Sequence, residues 1–181
     1  MELPKFKYHP DPIKTGSVEK SNNKCICCGK TPGYIYTGPV YAEEELENEI
    51  CPWCIADGSA HDKYDAEFVD YEGIGDYGNW ENVSDIIKEE ISYRTPGFRG
   101  WQQERWWTHC GDGGVFLGSL GREESQALGE DFFKYLRSES NIKDDSEWIK
   151  YFNALNKDRG PTAHAFKCSK CGRLGGYSDS L

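Results

Sequence analysis

Cys25-Ile26-Cys27-Cys28-Gly29 opens a segment that closes on Cys51-Pro52-Trp53-Cys54, and these two strings decide the fold. In a Cys-x-x-Cys-Gly turn one sulfur precedes the bend and the other follows it, so two thiolates converge on one point. The glycine takes the left-handed backbone that a side chain resists. Two such pairs supply the four ligands of a structural zinc site: Cys25, Cys28, Cys51 and Cys54. Between Cys28 and Cys51 lie 22 residues, slightly more than the usual ribbon spacing of roughly 15–20. The stretch Gly33–Tyr41 carries Tyr34, Tyr36, Val40 and Tyr41, so it reads as a strand or a long hairpin. Ile55-Ala56-Asp57-Gly58 suits a short helical turn. Knuckle, hairpin and second pair at a helix start are the layout of a zinc-ribbon or treble-clef unit over residues 25–60. Cys27 lies inside the first turn, and its side chain is expected to point away from the metal as a space-filling thiol.

Working outward, a second Cys-x-x-Cys-Gly knuckle stands at Cys168-Ser-Lys-Cys171-Gly172. It needs two more ligands. Cys110 and its neighbour His109 are the best candidates, although adjacent residues can share one ion only in a bent backbone. Cys110 with a distant histidine such as His164, or with water, is a second possibility. The remaining alternatives are that the knuckle holds no metal, or that it replaces one pair of the first site.

The composition sets bounds. The chain has 181 residues, 37% hydrophobic and 14% aromatic, so a lean core is offset by large rings. Residues 1–10 hold no apolar run of the secretory type, and no apolar segment is long enough to span a bilayer. A cytoplasmic location is therefore expected. There the eight cysteines stay reduced, which favours metal over disulfides. The net charge of −10 is concentrated: Ala42–Ser92 holds 16 acidic residues against 2 basic ones. Such a field repels nucleic acid and anionic membranes and attracts basic partners. An acidic face of this kind is ordinarily only solvated; the sharper expectation is a docking surface for a basic protein, with Glu43, Glu44, Glu45 and Glu47 at its centre.

The fold class expected is α+β, one domain over residues 1–181. Residues 1–24, broken by Pro4, Pro10, Pro12 and Gly16, read as an extended arm or loop. The remainder, 61–181, begins with strand fragments and loops carrying Phe68, Tyr71, Tyr77 and Trp80. Asn82 or Ser84 caps a helix through about Tyr93, with Ile87 and Ile91 at i, i+4 and Ile86 beside them. Thr95-Pro96-Gly97 ends it. Trp101–Trp107 suits a short helix and Val115–Leu120 a strand. Helices follow over 123–138 and 146–157, the second with Trp148, Phe152 and Leu155 on one face. Residues 165–178 read as strand, knuckle and return strand.

Trp101-Gln-Gln-Glu104-Arg105-Trp106-Trp107-Thr-His109-Cys110-Gly-Asp112 gathers many functional side chains. An enzyme would use Cys110 as nucleophile, with His109 or another histidine as base and Asp112 or Glu104 as orienter. Neighbours on a strand point to opposite faces, which argues against that pair. Packed tryptophans beside a metal ligand are the favoured alternative. A dithiol oxidoreductase using Cys51 and Cys54 lacks the strand–long helix setting. No residue is assigned a catalytic role.

These strings together resemble the bacterial CbrC family. The resemblance rests on Cys25-Ile-Cys-Cys28-Gly29, Tyr36-Thr-Gly-Pro-Val-Tyr41-Ala-Glu-Glu-Glu45 and Ile50-Cys-Pro-Trp-Cys-Ile-Ala-Asp-Gly-Ser-Ala60. It continues through Arg94-Thr-Pro-Gly97, Trp101-Gln-Gln-Glu-Arg-Trp106, His109-Cys110-Gly-Asp112 and Cys168-Ser-Lys-Cys171-Gly172. The family takes its name from a protein linked to tolerance of a nuclease colicin. The resemblance therefore implies an immunity-type protein that binds a basic nuclease toxin. The alternatives are a thiol enzyme or redox module, or a zinc-dependent regulator that contacts other proteins.

Overall fold

The computed structural model describes residues 2–75 and 80–180 and has a mixed α+β architecture. Tyr77 lies outside the described residues. Two short strands, β1 (Val18–Lys20) and β2 (Tyr34–Tyr36), pair antiparallel. The expected hairpin between the cysteine pairs is thus corrected: the 34–36 strand finds its partner upstream of Cys25. Val18, Ile35 and Tyr36 are buried by this pairing and pack with Leu46, Ile50, Ile55 and Phe68 in a first core.

The expected extended arm is also corrected. Phe6, Tyr8 and His9 are buried, and the Tyr8 carbonyl accepts the amide of Phe116 at 2.8 Å. The prolines that break regular structure here leave a chain that still buries three rings, and burial of those rings decides. His9 is enclosed, and burial lowers its pKa from 6.5 to about 4. Its charged form is therefore disfavoured in the folded state only. Between pH 6.5 and 4 the unfolded chain takes up a proton that the folded chain refuses, so stability falls on acidification through that window. The His9 share is about 3 kcal/mol, complete near pH 4. Urea titrations of the wild type and His9→Gln should differ in pH slope inside that window and run parallel above it.

Helix α1 (Pro52–Ala56) carries Cys54, and α2 (Ser59–Tyr64) follows it, so residues expected as strand fragments near 61 are helical. Pro52 at the first position of α1 costs no hydrogen bond, since that amide has no partner in any helix. α3 (Asp85–Arg94) takes the expected place. It buries Ile91 and half-buries Ile87, while Ile86 points to solvent.

The Trp101–Trp107 segment is not helical. Its amides are engaged elsewhere: Trp101 and Gln102 donate to the Asp179 carboxylate, and Trp106 exchanges backbone bonds with Gly73 and Gly75. Each indole N–H also finds an acceptor: Thr162 for Trp101, the Gly114 carbonyl for Trp106 and the Tyr135 hydroxyl for Trp107. Trp106 and Trp107 are fully buried and belong to the core, while Trp101 is half-buried and Gln102 and Gln103 are exposed.

A two-residue ladder joins β3 (Thr108–His109) to β4 (Asp112–Gly113). The main sheet is antiparallel in the order β5 (Val115–Leu120), β6 (Thr162–Lys167), β7 (Leu174–Asp179). One face meets an aromatic cluster in which Phe98 stacks on Phe116 at 4.0 Å and Trp106 packs against Phe166. The other face is covered by α4 (Arg122–Ala127), α5 (Glu130–Ser140) and α6 (Asp145–Ala154), through Phe132, Leu136, Trp148 and Phe152. The single helix expected over 123–138 is two, broken at Gly129, whose φ of 96° no helix admits. The Asp144 carboxylate accepts the amides of Ser146 and Glu147 and so fixes the start of α6.

Candidate metal centres

The four sulfurs of Cys25, Cys28, Cys51 and Cys54 lie within 4.8 Å of one another. Individual separations are 3.8 Å for Cys25–Cys54, 3.9 Å for Cys28–Cys51 and 3.6 Å for Cys51–Cys54. A disulfide would need about 2.05 Å. A tetrahedron of thiolates around zinc, with Zn–S near 2.3 Å, has edges of about 3.8 Å. The cage therefore has the size of the ion.

The local chain explains the cage. The Cys25 amide donates to the Lys30 carbonyl and the Gly29 amide to the Cys25 carbonyl, both at 2.8 Å. Gly29 takes φ 70° between them. The second knuckle repeats this pattern residue for residue. The Cys168 amide donates to Arg173 at 2.8 Å, the Gly172 amide donates to Cys168 at 2.9 Å, and Gly172 sits at φ 76°. Cys51 lies at the start of α1, and its amide donates to the Cys25 sulfur at 3.3 Å. Cys27 stays outside the four-sulfur group, with its sulfur 3.6 Å from the Ser59 hydroxyl.

His109, Cys110, Cys168 and Cys171 form a second group within the same 4.8 Å limit. His109 Nδ1 is 3.2 Å from the Cys110 sulfur and 3.5 Å from that of Cys171. Nitrogen–sulfur edges of a zinc tetrahedron come to about 3.6 Å. The objection that neighbours on a strand diverge fails here because Cys110 is not on the strand. Cys110 and Gly111 form the two-residue turn of the β3–β4 hairpin, both left-handed, at φ 56° and 64°. That turn swings Cys110 back onto the same point as His109. The Glu81 carboxylate accepts the Gly111 amide at 2.7 Å, and the Lys170 ammonium donates to the Cys110 carbonyl at 2.9 Å. Trp107 stacks on the His109 ring at 5.3 Å. These three residues hold the turn, and nothing in their local spacing marks them. His164 is absent from the group; its ring is engaged by Ser119 and Asp179.

The electrostatics fit a cation in each cage. Within the first, the Cys51 side chain hydrogen-bonds to Cys25 and draws its thiol down to about 4, while Cys51 and Cys54 are pushed up. Within the second, burial works against ionisation of Cys168, but the Cys171 amide, the His109 ring and the Lys170 amide outweigh it and bring the thiol to about 6. Cys110 is pushed up to about 11 by desolvation and by the sulfurs of Cys171 and Cys168. Protein groups alone thus stabilise one thiolate in each set, Cys25 and Cys168, and oppose ionisation of Cys51, Cys54 and Cys110. A divalent ion removes that opposition. Cys51 and Cys54, the candidate redox pair, lie inside the first cage, and Cys110, the candidate nucleophile, inside the second.

Glu43, Glu44, Glu45 and Glu47 all lie on the loop between β2 and α1 and are exposed there. Glu43 and Glu44 line an open groove with Asp62, Asp65 and Glu67. Of the four, Glu47 has a cationic neighbour, Arg99 at 3.9 Å. Among the described residues no helix is long and apolar enough to cross a membrane.

No solved structure matches the chain. It is 45% identical over 184 residues to the UPF0167 protein Mb2317 of Mycobacterium bovis, covering 98% of this chain and 94% of that protein. The UPF0167 protein PA1536 of Pseudomonas aeruginosa is 41% identical over 172 residues, covering 94% and 93%. The model of the Uncharacterised protein family (UPF0167) matches residues 3–180. With nearly its whole length matched, the chain belongs to the UPF0167 family.

Proposed function

We propose that this chain is a two-zinc protein whose acidic N-terminal half docks a basic protein, and that the partner class is a nuclease toxin. Zinc is chosen over other ions because closed tetrahedra of four sulfurs, or of three sulfurs and one nitrogen, suit a d10 ion with no geometric preference of its own. The metals act structurally, welding loops too polar to hold themselves. Thiols committed to such sites are poor nucleophiles, which is why binding is favoured over thiol chemistry.

The observation that carries the docking reading is the exposed run Glu43, Glu44, Glu45 and Glu47, whose first two members line a groove with Asp62, Asp65 and Glu67 against the single lysine Lys63. A basic nuclease offers the complementary field, since it must grip phosphate. The resemblance to a family named for colicin tolerance points to the same class. Cytoplasmic placement follows from the reduced thiols that this reading requires. Calorimetry against a catalytically inactive, basic nuclease domain tests it. Reversing all four glutamates to lysine should weaken association by about tenfold or more and flatten its salt dependence. Unchanged affinity in the reversed variant would remove this surface from the proposal.

A further inference from the structure

Outside both cages, Ser119, His164 and Asp179 meet in one line across the three strands of the main sheet. The Ser119 hydroxyl lies 3.0 Å from His164 Nδ1, and His164 Nε2 lies 2.9 Å from Asp179 Oδ1. The other oxygen of Asp179 accepts the amides of Trp101 at 2.8 Å and Gln102 at 3.2 Å. His164 is 1% exposed. Burial opposes ionisation of Asp179, but its bonds to His164 and to those amides hold the carboxyl below its usual value. A carboxylate only accepts, so Nε2 carries the ring proton. In the neutral ring Nδ1 is then a lone-pair acceptor, and the Ser119 hydroxyl donates to it. Serine, imidazole and carboxylate therefore stand in the order that activates a hydroxyl.

Two further observations set this line apart from an ordinary buried network. The first is the register. Val115 and Phe116 face Lys167 and Phe166, but after a one-residue shift Gly118 faces Ala165 and Ser119 faces His164. With a regular ladder Gly118 would oppose His164, and Ser119 would point to the helical face. The bulge at Leu117 is what brings the hydroxyl to the imidazole. The second is access. β5 is an edge strand, and Ser119 is only half-buried. It lines an open cavity of about 430 Å³ with Thr15, Gly118 and a balanced set of charges, Lys14 and Lys157 against Glu124 and Asp158. Thr15 is itself held by a second buried histidine. His9 Nδ1 faces the Pro96 carbonyl at 2.6 Å and must donate to it, so Nε2 accepts the Thr15 hydroxyl at 2.6 Å.

We propose that Ser119 is a nucleophile for acyl transfer from small carboxylic esters, with His164 as general base and Asp179 as its positioning residue. Ser119 Oγ bonds to the ester carbonyl carbon as its proton passes to His164 Nδ1. The tetrahedral adduct collapses, the carbon–alkoxy bond breaks, and Nδ1 returns the proton to the departing alcohol. Water then attacks the acyl-serine and gives a proton to Nδ1. Acid is released and Ser119 regains its hydrogen from the imidazole. The sum is ester plus water to acid plus alcohol. This assignment is independent of the docking surface and of the metals.

The test is a small alkyl fluorophosphonate applied to the metal-loaded full chain, read by intact mass and peptide mapping. One adduct is expected, on Ser119, and none in Ser119→Ala. His164→Gln should label about a hundredfold more slowly or less. Asp179→Asn, which reverses the preferred ring proton, should also slow labelling while circular dichroism and metal content stay unchanged. Hydrolysis of p-nitrophenyl acetate should fall in the same order. No adduct on folded wild type, an adduct elsewhere, or wild-type labelling of folded His164→Gln would overturn the proposal. Should both His164→Gln and Asp179→Asn misfold, the wild-type and Ser119→Ala masses alone decide it.

Discussion

Cys51→Ser is expected to release one of two metal ions and to unfold the N-terminal lobe. Cys51 is 1% exposed, lies within 4 Å of two other cage sulfurs, and starts α1 with its amide on the Cys25 sulfur. Serine keeps the shape but removes the thiolate. Three sulfurs then face one another with no fourth ligand. Apparent affinity at such a site is roughly 10–16 kcal/mol, against a whole-domain stability of about 5–15 kcal/mol. Little regular structure holds this lobe, since β1 and β2 have three residues each. Native mass spectrometry should count two ions in the wild type and one in the variant. Hydrogen exchange should show protection lost at Tyr34–Tyr36 and Pro52–Ala56 and kept in β5–β7. A variant that retains both ions and the wild-type melting temperature would refute the cage.

Trp106→Ala should lower stability by about 3–5 kcal/mol, the usual cost of truncating a large buried aromatic. Trp106 is fully buried and packs on Phe98, Phe116 and Phe166 at ring separations of 5.8, 6.0 and 5.4 Å. Its indole also satisfies the Gly114 carbonyl at 2.9 Å. Truncation leaves both a void and an orphaned acceptor, adding about 1–3 kcal/mol to the transfer loss. Urea denaturation measures the change directly. A loss below about 1 kcal/mol would mean that the segment is not core.

Several elements were legible because their causes are local. The i, i+3 cysteines and the following glycine bring two sulfurs together whatever the rest of the chain does. Trp148, Phe152 and Leu155 mark the face of α6 by their spacing alone, and all three are buried. The apolar run Val115-Phe116-Leu117 at the start of Val115–Leu120 marks β5. Other readings failed where a distant partner took over. Trp101–Trp107 has a helical look, yet its amides go to Asp179 and Gly73 and its Trp106 carbonyl accepts from Gly75, all far away in sequence. The first 24 residues look like a free arm, yet three of their rings fill cores made by later residues. Gly129 divides a run whose apolar spacing alone would carry a single helix, because its left-handed backbone stops the ladder there.

The sequence by itself determined the ligand chemistry, the two knuckles, the acidic run and the α+β class, since each follows from residue types at short spacing. Tertiary structure alone decided that His109 and Cys110 complete the second cage. They sit about 60 residues from its knuckle and converge only because a left-handed hairpin turn is pinned by Glu81 and Lys170. It alone also aligned Ser119 with His164 and Asp179, through one extra residue in an edge strand. The reason is common to both. Spacing along a chain constrains neighbours within a turn or two, whereas contacts across a fold depend on register and on who occupies each backbone hydrogen bond.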